Sequence, residues 1–186
     1  MTALYMISKY ITFPGAYMKG FFEHIVCRML KADIYSAEKY VKNNALSGHV
    51  YIIPPTGAAK SFLVCFLPGL FNFILGAASY AVSIVTLGFL GVRYWDIFSG
   101  TRNPMFFVYC VLLYFSASIM CNLFPYYEDA EHMWKKLYGK KNRTPLILKI
   151  LLFIPSAVIL VGAYIERYAL SLLINIALTV CMFALQ

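Results

Sequence analysis

Charge is absent from this chain in long blocks. No residue from Ser61 to Val92 is charged, and the same holds from Pro104 to Phe124 and from Tyr168 to Leu185. About 20 consecutive apolar residues carry a helix across a bilayer. Blocks of this length therefore predict an all-α fold, a polytopic transmembrane bundle of about five (five to six) spans. Composition agrees. Hydrophobic residues make up 61% of the 186, charged residues only 13%, and the mean hydropathy is +0.71. A soluble domain is nearer half apolar, and a water-soluble fold of this size has too little polar surface to cover the surplus.

The individual spans follow from the gaps between charges. Met1 to Thr12 reads as a short interfacial helix with Tyr5 and Tyr10 at headgroup depth. Phe13 to Leu30 reads as a helix opened by Pro14, which suits a first helical turn. Ser61 to Val92 is longer than one span, so it is either one long, tilted, kinked helix or a tight pair. The two most basic loops, residues 31–60 and 125–144, are expected on the cytoplasmic side together. That requires an even number of crossings between them, which favours the single helix and five spans overall. Pro145 to Ile165 and Tyr168 to Leu185 form a final pair around Glu166 and Arg167. The stretch Gly48-His49-Val50-Tyr51-Ile52-Ile53-Pro54-Pro55 has β-type residues ended by two prolines and predicts a short strand or hairpin. No repeat or low-complexity linker divides the chain, so one domain is expected, with residues 13–134 as a core and 145–186 as a C-terminal helix pair.

The net charge of +8 does not point to nucleic acid. The basic residues flank apolar spans, where anionic headgroups and membrane orientation account for them, and no nucleic-acid-binding motif accompanies them. Membrane lipid is the partner implied. The five cysteines, Cys27, Cys65, Cys110, Cys121 and Cys181, all sit in apolar segments, and none forms a CxxC pair. They predict neither a disulfide framework nor a zinc site. No cleavable signal peptide is legible at the start. Asn72, Asn122 and Asn175 fall inside spans and are expected to donate hydrogen bonds between helices.

One span departs from the pattern. Phe13 to Leu30 carries Lys19, Glu23, His24 and Arg28 among its apolar residues. A lipid-facing helix does not hold four polar groups, so these must face protein, a cavity or headgroups. The segment Phe13-Pro14-Gly15-Ala16-Tyr17-Met18-Lys19-Gly20-Phe21-Phe22-Glu23-His24-Ile25-Val26-Cys27 resembles the first catalytic helix of a compact bacterial branch of the site-2 protease family of intramembrane zinc metalloproteases. There F-P-G, three apolar residues, H-E-x-x-H and a closing Cys follow one another. In that register Lys19 replaces the first zinc-binding His, Gly20 the general-base Glu, and Glu23 the second His. A second segment, Ser118-Ile119 followed by Asn122-Leu123-Phe124-Pro125 and Asp129-Ala130, resembles the later motif whose Asp supplies the third zinc ligand. Asn122 stands where that branch has His. A third, weaker resemblance joins Gly48-His49-Val50-Tyr51 to Ser61–Phe73, with Pro68 and Asn72. Together they span roughly Phe13 to Trp134.

The resemblance implies a dead protease. Two imidazoles one turn apart hold the zinc, and a carboxylate takes the proton of zinc-bound water. A protonated amine offers no lone pair, and glycine offers nothing. The expected protein is a catalytically inactive pseudoprotease, without cofactor. It acts by binding a membrane protein partner or a transmembrane segment, in the bacterial cytoplasmic membrane. Asn72, Asn122 and Pro125 are the residues of a possible substrate groove. Lys19 is expected to pair with Asp129 across the old zinc position, or with Glu23 one turn along its helix. Two other classes stay open. One is a divergent active zinc metalloprotease using Glu23, His24, Asp129 and His132. The other is a small multi-span subunit of a membrane transport, secretion or immunity complex.

Overall fold

The computed structural model describes residues 3–33, 55, 57–89, 104–139 and 144–184. Among these the protein is all-α, with no strand. Eight helices follow in order: α1 Ala3–Ile11, α2 Phe13–Met29, α3 Ala58–Phe89, α4 Pro104–Met120, α5 Tyr127–Tyr138, α6 Leu146–Leu151, α7 Phe153–Arg167 and α8 Leu170–Ala184. The expected strand or hairpin at 48–55 lies outside the described residues, save Pro55.

Each break has a local cause. Pro14 has no N–H to give, and α1 and α2 part at Thr12, two residues before it. Pro155 acts in the same way, and α6 and α7 part at Leu152. The end of α2 is a left-handed cap. Lys31 has φ 49°, and the Ala32 N–H returns to the Cys27 carbonyl at 2.9 Å. The end of α7 is similar, with Ala169 at φ 58° and its N–H 3.0 Å from the Glu166 carbonyl. There the chain turns by 88° into α8.

The long apolar block is a single helix through Phe89, with Pro68 inside it, so through that point it does not fold back as a hairpin. It forms the spine of the bundle. Helix α3 packs against α4, α2 and α5, and α2 packs against α4. Close approach depends on glycine at three places, one of them Gly69 of α3 against the Leu123 carbonyl. Gly15 of α2 lies against the backbone of Ser118 in α4, and Gly162 of α7 lies beneath the Phe124 ring. A Cβ at any of the three would overlap its neighbour.

Helix α5 was expected only as part of a polar, basic connection. It is instead an amphipathic helix folded onto the bundle, with Ala130, Met133 and Leu137 buried on one face. These pack with Phe62 and Cys65 of α3 and with Ile159 and Ala163 of α7. Glu128 and Asp129 in its first turn and Lys135 and Lys136 in its last complement the helix dipole.

The outer surface is apolar. Ile147 of α6 is 80% exposed, and Ile154 of α7 is 73% exposed. Leu173, Ile176 and Val180 of α8 are exposed as well. Helix Ala58–Leu87 is long and apolar enough to cross a membrane. Phe153–Arg167 and Leu170–Cys181 reach that standard only as one bent pair, and Phe107–Met120 is apolar but shorter. The inside is correspondingly polar. Lys9, Lys19, Glu23, Glu166, Asn72 and Asn122 are all buried.

Candidate functional site

The site is assembled from four helices and one turn. On α2 the buried residues are Gly15, Ala16, Lys19, Gly20, Glu23, Val26 and Cys27, spaced three and four apart as one helix face requires. That stripe turns Lys19, Gly20 and Glu23 inward together. His24 is exposed on another face. On α1 the inward stripe is Tyr5, Ser8 and Lys9, continued by Thr12. Helix α7 contributes Glu166 one residue before its end, and α3 contributes Asn72. Asn122 sits in the turn after α4.

Glu166 is the centre of this arrangement. Its Oε1 accepts from the amines of Lys9 and Lys19, the latter at 3.3 Å. Its Oε2 accepts from the Phe124 N–H at 3.0 Å. Lys9 also donates to Asn122 Oδ1. The Asn122 amide donates in turn to the Ser118 carbonyl at 2.8 Å and to Thr12 Oγ1 at 3.0 Å. Its backbone carbonyl accepts from Asn72 Nδ2 at 2.8 Å. Buried charges survive when paired and hydrogen-bonded, and Glu166 meets both conditions. One buried acceptor of the network does not: Asn72 Oδ1 has no partner among the described residues.

The candidate residues fall into two groups. Lys19, Asn122 and Asn72 join the network around Glu166, so Asn72 and Asn122 do bond between elements, as expected. Pro125 is buried beside it and lines a small open cleft of about 50 Å³ that Glu166 also lines. Glu23 shares the inward face of α2 with Lys19, and Asp129 stands in the first turn of α5. The Cys65 thiol is within electrostatic reach of Asp129, Glu23 and Lys19, and its sulfur is 3.8 Å from the Asp129 carbonyl oxygen. Asn175 differs from expectation, because it donates to Ser171 of its own helix.

Zinc does not fit the residues present. In the register that the resemblance would give, the amine of Lys19 would stand at the first ligand position, where it is engaged with a carboxylate, and Gly20 would stand at the base position. The alternative set of Glu23, His24, Asp129 and His132 does not come together either. Both histidines are exposed whereas Glu23 is buried, and no group of three His, Cys, Asp or Glu side chains among the described residues could hold a metal ion.

Lys9 and Glu166 are the members that the sequence reading passed over. Lys9 is a lone charge beside apolar residues, which is itself a signal, whereas Glu166 is followed directly by Arg167. Lys9 was assigned to an interfacial helix and Glu166 to a turn, and Tyr5, expected among headgroups, is buried with its ring 6.1 Å from that of Tyr126. No family model, curated protein or solved structure matches the chain.

Proposed function

We propose that this protein is a multi-span membrane protein with a site-2-protease-like core that does not cut peptides and acts by binding a transmembrane segment of a partner. One observation carries the reading. Lys19, at the position where the resemblance puts the first zinc ligand, is buried and ion-paired to Glu166. An ammonium in that place does the electrostatic work of a cation among carboxylates without offering a Lewis-acidic centre.

Three further features support it. Gly15 of the first motif segment contacts Ser118 of the second, with the Gly15 N–H 2.8 Å from Ser118 Oγ. Lys19, Gly20 and Glu23 share the inward face of α2. Asp129 acts electrostatically on the same Cys65 thiol as Lys19 and Glu23 do. The membrane assignment is supported by the apolar exterior of α6, α7 and α8 around a polar interior. Such an exterior is stable in hydrocarbon and not in water.

Metal analysis of the detergent-purified chain tests the reading. The expected content is far below one zinc ion per chain, even after incubation with zinc. Retention of one zinc per chain through gel filtration overturns it.

A further inference from the structure

Helix α1 covers the site with a polar face. It turns a polar stripe inward, with Ser8, Lys9 and Thr12 buried, and turns Ile7, Tyr10 and Ile11 outward. The Ser8 and Thr12 hydroxyls bond their own helix backbone. Helix α1 packs substantially only on α2, its neighbour in the chain. Among the described residues, its contacts beyond α2 include Lys9 to Glu166 and Asn122, Thr12 to Asn122, the Tyr114 hydroxyl of α4 to the Ile11 carbonyl at 2.7 Å, and Tyr5 to Tyr126. The open cleft runs beside Tyr5 down to Glu166.

The charges beneath it constrain what replaces it. Among the described residues the buried charged side chains are Lys9, Lys19, Glu23 and Glu166, two of each sign. If α1 lifts away, Lys9 goes with it. Lys19 then faces two carboxylates, and the groove holds one net negative charge in a dry setting. An apolar helix entering that groove would seal in an uncompensated charge, and an acidic one would double it. Both are costly. A helix with one amine or guanidinium restores the balance.

Resting on the binding function proposed above, we infer that α1 is a removable plug. It occupies the seat of a partner transmembrane helix that carries a single basic residue, and that residue takes the place of Lys9 on Glu166 Oε1 and Asn122 Oδ1. Exchange is possible because the hold on Glu166 and Asn122 is one amine, which the incoming basic residue replaces in kind.

The test uses the full chain in phosphatidylcholine vesicles and three polyleucine helices of about 20 residues. One has a central Lys, one a central Glu and one neither. Association is read by energy transfer. The parent is expected to bind the Lys helix roughly tenfold more tightly than the other two. Lys9→Met removes the competing amine and should raise affinity for the Lys helix by a further order of magnitude. Lys9→Met combined with Glu166→Gln leaves Lys19 balanced by Glu23, and the preference for Lys should vanish. Equal binding of the three helices by parent and Lys9→Met overturns the inference, as does no binding at all. The parent measurement stands alone if a variant does not fold. None of these results alters the zinc content, so the plug and the loss of the metal site are judged separately.

Discussion

At the scale of single residues, the decisive side chain is Glu166, one carboxylate serving two amines and a backbone N–H. Removing one member of a buried pair leaves its partner charged and unpaired, a loss of about 3–5 kcal/mol. Lys19→Met should therefore lower the unfolding midpoint in detergent markedly, and Lys9→Met should do the same. Combining Lys9→Met with Glu166→Gln should cost less than the sum of the two single changes, because the double variant buries no orphan charge. A double-mutant cycle in detergent measures this, and strict additivity would rule out the pairing as the source of stability. The exposed Glu131–Lys135 pair, at 2.8 Å along one face of α5, marks the contrast. There solvent screens both charges. Lys19 was legible as a buried amine from its place in an apolar helix. Its partner Glu166 was not, because the two are 147 positions apart and no local pattern connects them.

At the scale of elements, glycine contacts decide how closely helices approach. Gly162 accepts the Phe124 ring against its backbone. Gly162→Ala should lower stability by about 1–3 kcal/mol, as overpacking does. A shorter side chain in Phe124→Leu should recover part of that loss, which thermal unfolding of the double variant would read. The bend between α7 and α8 turns on Ala169 at φ 58°, where a Cβ is strained. Ala169→Gly should stabilise by about 0.5–1 kcal/mol, and a lower unfolding midpoint would show that the buried methyl outweighs the strain. Element positions were largely legible. Pro14 opened α2, the uncharged block became α3 and the Pro104 span became α4, since proline and charge act locally. Helix α5 was missed because its apolar residues, Ala130, Met133 and Leu137, are sparse among Lys, Glu and His. Only the neighbouring surfaces of α3 and α7 make them a buried face.

At the scale of the whole molecule, the chain is turned inside out relative to a soluble bundle, with lysines and asparagines within and Ile147, Ile154 and Val180 on the surface. Alkaline carbonate should leave it in the membrane pellet, and release into the supernatant would contradict a multi-span insertion. What the sequence determined alone is the all-α class and the approximate helix limits. Both follow from backbone chemistry and hydropathy, which depend on near neighbours in the chain. It also marked Lys19, Gly20 and Glu23 as one face, because helical periodicity needs no partner. Only the tertiary structure decided that Lys9 and Glu166 belong with them, and that α1 lies over the site rather than apart from it. Charges far apart in sequence choose one another by distance and dielectric, and both quantities exist only once the helices are packed.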